Sequence, residues 1–229
     1  MQILHHGAVN GVTGSCHELV INEQTSVLVD CGLFQGEDSK ADLSIEFDVT
    51  HVTALIVTHC HIDHVGRIPY LLAAGFKGPI FTSIASASLL PLVIEDALKV
   101  GVTRDPKIIA ACLSLLNKRI VAVDYKTWFE LPCKGLNKAK ARFQRAGHIL
   151  GSAYVEIDVT KNDNNKHRVV FSGDLGAPYT PLLPSPKPPY KADTLVIEST
   201  YGDKNHQGRK ERTKTLKNII ERAVADNGV

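Results

Sequence analysis

Short apolar runs alternate along the chain with breaks rich in glycine, proline or asparagine, and the apolar period changes from one region to the next. Residues 2–6, 15–22 and 26–31 read as short strands between glycine-rich or polar turns, which predicts an antiparallel start. Ala54-Leu55-Ile56-Val57 is an apolar, largely β-branched run and predicts a buried strand. The spacing then becomes helical over 67–74 and 84–100, with Pro79-Ile80-Phe81-Thr82 as a strand between them. Pro106 to Leu116 is a further amphipathic helix, entered through Asp105-Pro106. Residues 119–124, 139–145, 153–159 and 168–172 read as strands, with a turn at Asn162-Asp163-Asn164-Asn165. Six prolines between 177 and 193 predict an extended surface connection, after which Thr194 opens another strand. Residues 208–225 predict a basic amphipathic helix with Leu216, Ile219, Ile220 and Ala223 on one face.

Composition narrows the class. The 229 residues are enough for one sizeable α/β core, and 44% hydrophobic with 22% charged residues fits a soluble globular protein. A net charge of +2 is too mild to indicate nucleic acid by itself, so a polyanionic substrate has to be argued from a site. Met1-Gln2-Ile3-Leu4 starts no secretory signal, and no stretch approaches the roughly 18 apolar residues of a membrane span. Five cysteines, odd in number and in no CxxC pair, predict reduced thiols and a cytoplasmic location. The ten histidines are the more telling count, because four of the chain's strongest metal donors fall close together.

Those donors are His59, His61, Asp63 and His64, in the run Thr58 to Gly66 directly behind the Ala54–Val57 strand. Neutral imidazole and carboxylate are ordinary Zn²⁺ ligands, at about 2.0 to 2.2 Å. A single ion cannot easily use all four, since the adjacent side chains of Asp63 and His64 diverge while His59 and His61 can converge. Two neighbouring ions are therefore expected. Cys60, flanked by ligands, is expected to point away into packing.

Two later stretches each put one good ligand beside glycine, where the backbone can bend close to an ion. They are Gly147-His148-Ile149-Leu150-Gly151-Ser152-Ala153 and Ser172-Gly173-Asp174-Leu175-Gly176. His148 and Asp174 are each a candidate metal ligand. Asp30, at the end of the 26–31 strand, is either a partner for the second ring nitrogen of a ligand histidine or a turn-forming residue. His5, His6 and His17 are expected to be structural.

The run His59-Cys60-His61-Ile62-Asp63-His64 resembles the HxHxDH signature of the metallo-β-lactamase fold, a superfamily of mostly di-zinc hydrolases. Gly7-Ala8 with Val12-Thr13-Gly14-Ser15-Cys16, the His148 stretch and the Asp174 stretch are similar to what one branch shows in this order. Ile197-Glu198-Ser199-Thr200-Tyr201-Gly202 resembles the first signature of the β-CASP branch, whose characterised members are mainly nucleases, on its RNA-processing side.

The resemblance implies an α/β fold of the αββα sandwich type. It assigns one Zn²⁺ to His59, His61 and His148 and a second to Asp63 and His64, with Asp174 bridging and Asp30 supporting the metal loop. Zinc ions about 3.5 to 4 Å apart would activate a shared water, which Asp63 would orient or deprotonate. Glu198 would pair with a histidine of a later segment that protonates the leaving oxygen. Single-stranded RNA is the implied substrate and a homodimer is left open.

On this resemblance residues 1–200 form the N-terminal portion of the metallo-β-lactamase domain and 201–229 begin a truncated β-CASP domain, with the last zinc-binding histidine lying beyond. One tightly held zinc, a weaker second and a poorly active or inactive fragment are expected. Lys204, Arg209, Lys210, Arg212, Lys214 and Lys217 either meet phosphates or form a solvated helix face. The rival readings are a hydrolase of thioesters or lactones on the same fold, and a non-catalytic binding module.

Overall fold

In the computed structural model the described residues are 1–39, 42–135, 137–161, 165–205, 209–226 and 228, and the side chains of 209 and 210 lie outside the description. The expected turn at Asn162–Asn165 falls largely outside the described residues, as does Gly208 of the expected C-terminal helix. The chain divides into two compact units, Met1–Glu198 and Ser199–Val229.

The first unit is built on two sheets. One has six strands in the order β1 (Gln2–Gly7), β2 (Cys16–Asn22), β3 (Thr25–Val29), β4 (Val52–Ile56), β5 (Ile80–Ser83) and β6 (Ile120–Val123). It begins antiparallel, as the short turns dictate, and becomes parallel from β3 onward. Each parallel step needs a long crossover. Those crossovers carry α1 (Ile62–Val65), α2 (Ile68–Ala73), α3 (Ile84–Gly101) and α4 (Pro106–Arg119).

The second sheet runs β11 (Thr194–Val196), β10 (Lys166–Phe171), β9 (Ala153–Thr160), β8 (Lys138–Arg145) and β7 (Trp128–Leu131), antiparallel except for the β10–β11 pair.

Strand alternation sorts the core into two layers. Val27, Val29, Ala54 and Ile56 face Phe143, Val155, Ile157, Val169 and Phe171 between the sheets. Leu28, Leu55, Val57 and Ile80, on the opposite face, pack against Ile68, Leu71, Leu90, Ile94 and Leu116 of the helices. The layers are thus helix, sheet and sheet. On the far side of the second sheet, Trp128 carries the guanidinium of Arg142 4.5 Å and the ammonium of Lys140 4.6 Å from its ring centre. Arg142 is paired with Glu156 and Arg168 with Asp158 there. This is the incomplete form of the αββα sandwich.

Two elements differ from the sequence pattern. The metal run, read as a loop, contains the single turn of α1. The strand β7 had no counterpart among the expected elements. The helix expected over 84–100 is present as α3 and runs through Pro91. In the second unit α5 spans Arg209–Ala225 and carries the exposed i,i+4 pairs Lys217–Glu221 and Arg222–Asp226. Among the described residues no helix is long and apolar enough to cross a membrane.

Candidate metal centre

The strands β3, β4 and β10 end on one edge of the sandwich, and the loops that follow them carry the polar residues of the site. After β4 the chain stays extended through His61, the N-cap of α1, and Asp63 then falls in the first helical turn with His64. This reversal brings side chains of a short segment back toward one point. Gly32 makes it possible: a Cβ there would lie 1.5 Å from the carbonyl oxygen of Asp63. The turn is tied down by Cys31 N donating to His64 O and Leu33 N donating to Ile62 O.

His148 arrives from the loop between β8 and β9. Gly147 enters that loop with φ of +70°, a conformation that favours glycine. The loop is fixed from behind by Ser83 and Ser86, whose hydroxyls both donate to Gly151 O, and by Ser152 Oγ, which accepts from the N–H groups of His148 and Ile149. Ala153 N donates to Thr58 O, joining this loop directly to the metal run.

The donors converge. Ligand atoms of His59, His61, His148 and Asp174 all lie within 4.8 Å of one another. His61 Nδ1 is 3.1 Å from His59 Nε2 and 3.1 Å from His148 Nε2. Asp174 Oδ2 is 3.7 Å from His59 Nε2 and 3.5 Å from His148 Nε2. Donors on a tetrahedron of about 2.0 to 2.1 Å radius lie roughly 3.3 Å apart, so these four atoms fit the donor set and spacing of a zinc ion.

The other oxygen of Asp174 looks elsewhere. Oδ1 is 3.1 Å from His64 Nε2, and Asp63 Oδ2 is 3.8 Å from the same nitrogen. Asp63, His64 and Asp174 thus form a second, three-residue group that shares the Asp174 carboxylate with the first.

Outer partners set the imidazoles. Asp30, in the left-handed region with φ of +61°, accepts the Thr58 N–H on Oδ1 at 2.8 Å. Its Oδ2 accepts the Thr58 hydroxyl at 2.7 Å and faces His64 Nδ1 at 2.8 Å. Having given its proton to Asp30, the Thr58 hydroxyl can only accept from His59 Nδ1, 3.1 Å away. That leaves the His59 Nε2 lone pair turned inward. Cys60 points the other way and its thiol donates to Ser86 O.

The electrostatics follow. Burial, helped by the charge of His64, pushes His59 down to about 2, and burial with His148 lowers His61, so both rings are held neutral, the form that can bind a metal. Burial opposes charge on His64 too, but the Asp30 and Asp174 carboxylates outweigh it and hold it up at about 10. Burial raises Asp174, yet the hydrogen bond and charge of His64 bring it down to about 2. The carboxylates thus call for positive charge at the centre.

Glu198 stands just outside this cluster. Its Oε1 accepts the Leu175 N–H at 2.6 Å and its own N–H donates to Ser172 Oγ, bracing both sides of the turn that presents Asp174. His6 and Glu18 pair at 2.8 Å, and His5 and His17 meet through their Nδ1 atoms at 2.9 Å. Thr58, Ser83, Ser86 and Ser152 were not among the expected site residues, although Ser152 lies inside the quoted His148 motif.

The metallo-beta-lactamase superfamily model matches residues 11–99. A ribonuclease of Thermus thermophilus, TTHA0252, is 36% identical over 231 residues, covering 100% of this chain and 50% of the relative. An endoribonuclease YSH1 of Yarrowia lipolytica is 29% identical across 97% of this chain and 26% of its own length. The transcription termination factor FttA of Methanosarcina mazei is 28% identical across 97% of this chain and 35% of its own length. The chain therefore spans half or less of the length of these relatives. The chain is thus similar to these relatives along nearly all of its residues, and its fold is that of the metallo-β-lactamase superfamily, whose model matches residues 11–99.

Proposed function

We propose that the chain is the metal-binding part of a zinc-dependent phosphodiester hydrolase acting on single-stranded RNA. Residues 1–200 are the N-terminal portion of its metallo-β-lactamase domain and 201–229 the start of its β-CASP domain. The observation that carries this reading is the split of Asp174, with Oδ2 turned to His59 and His148 and Oδ1 turned to His64. A carboxylate so placed suits a bridge between two ions. The names of two relatives, a ribonuclease and an endoribonuclease, support RNA as the substrate over a thioester or lactone.

His59, His61, His148 and Asp174 would hold one zinc, and Asp63, His64 and Asp174 a second. Zinc in such a pair supplies Lewis acidity toward a phosphoryl oxygen and a water acidic enough to ionise near neutral pH. Asp63, whose side chain is 21% exposed, reaches in from α1 and takes the proton of the attacking water. Asp30 holds His64 so that its Nε2 keeps facing Asp174. Glu198 keeps the Asp174 turn in place and is assigned to pair with the acid that protonates the leaving oxygen.

Four donors against three make the first ion the tighter one. The test sets a zinc titration beside cleavage assays with a short single-stranded RNA and a generic thioester, in excess zinc. One tight and one weaker zinc, slow RNA cleavage and no thioester turnover are expected. Thioester turnover without RNA cleavage would overturn the reading.

A further inference from the structure

Arg67 lies three residues beyond His64 and is only 2% exposed. Its Nε donates to Gly32 O at 2.9 Å, and its guanidinium sits 4.6 Å over the ring of Phe34. Nη2 is buried with no hydrogen-bond partner, and no carboxylate of the described residues pairs with this cation. A guanidinium taken out of water without a counter-charge is costly, and an anion that reaches it recovers that cost.

There is room for one. Arg67 lines a cleft of about 320 Å³ with His5, His6, Glu46 and Phe47, none of them a member of the His/Asp cluster. The walls are fixed: His6 Nε2 is bonded to Glu18 at 2.8 Å, and the His6 ring stacks on Phe47 with centroids 3.8 Å apart. His6 is paired with Glu18, and among the described residues Arg67 has no carboxylate bonded to it. Glu46, exposed at the cleft, works against an anion by its own charge.

We propose that this cleft binds a phosphate group, with Arg67 as its anchor, at a site separate from the metal centre. The guanidinium fork suits a tetrahedral oxyanion, which it holds through charge-assisted N–H···O bonds. The phosphate belongs either to an RNA backbone or to free inorganic phosphate. The site itself does not depend on the nuclease reading.

The zinc-loaded 229-residue chain is titrated with inorganic phosphate while the Arg67 Nε–H and His6 resonances are followed by NMR. Expected are saturable shifts that weaken by roughly tenfold or more in R67M, persist in the metal-site variant H61A and tighten several-fold in E46Q, which removes a like charge. In a second arm, a short single-stranded RNA that moves the same resonances at lower concentration identifies the backbone as the source. Phosphate binding without an RNA response identifies the free ion.

Glu46 is exposed, so E46Q keeps the test open even if R67M does not fold. Absence of saturable shifts in both the wild type and E46Q overturns the proposal. So does a response that survives R67M and disappears in H61A, which would place the anion at the metal centre and leave the proposed function standing.

Discussion

Asp30 holds His64 by a 2.8 Å contact between Oδ2 and Nδ1, while its other oxygen receives the Thr58 backbone N–H. One carboxylate thereby sets both ends of the metal run. Replacing it with alanine frees the His64 ring and the Thr58 hydroxyl together. The expected outcome for D30A is zinc affinity weakened by about 10- to 100-fold, with D30N in between. Competition with a chromophoric chelator measures it.

The two donor groups share only Asp174, and that distinguishes the consequences of losing each carboxylate. D174N is expected to weaken both zinc ions, whereas D63N leaves the tight ion in place and lowers the second by roughly tenfold or more. Metal analysis after gel filtration, at low and at excess zinc, separates the two cases. Equal loss of both ions in D63N would show that the groups are not independent.

Burial pushes His17 down to about 4, below its ordinary 6.5. The fold therefore prefers the neutral ring, and the unfolded chain takes up the proton first as pH falls. The contribution of His17 is fully present above pH 6.5 and is lost as the pH drops from 6.5 through 4. Urea unfolding in EDTA is expected to show an acid loss larger in the wild type than in H17Q, by about 2 to 3 kcal/mol at pH 4. Parallel pH profiles for the two proteins would refute it.

Gly32 leaves no room for a side chain, since a Cβ would sit 1.5 Å from Asp63 O. G32A has to move the first turn of α1, and with it Asp63 and His64. A loss of about 3 kcal/mol in stability, the upper end for overpacking, is expected next to fixed backbone. Thermal unfolding read together with zinc content checks it, because the substitution should lower both.

The sequence exposed the centre where chemistry is written in neighbouring letters. His59, His61, Asp63 and His64 follow a β-branched run, and His148 and Asp174 are each flanked by glycine, so a strand end and a donor could be read at once. The strand β7 was not visible because four residues hold too little alternation; its pairing with β8, Phe129 opposite Ala141, decides it. The α1 turn is likewise made by bonds from Cys31 and Leu33, distant in the chain. Nothing in the sequence singles out Arg67, since burial of a charge leaves no mark in spacing. The serines behind the His148 loop were hidden for a similar reason: hydroxyls are common, and only packing selects those that hold a ligand.

His61 and His148 are 87 residues apart and belong to loops of different sheets, yet their facing nitrogens are 3.1 Å apart. An ion held between them would add a further link between the two sheets to the hydrogen bond from Ala153 N to Thr58 O, closing a long stretch of chain. Metal occupancy would then report on whether the two sheets are docked, because parting them would separate the donors.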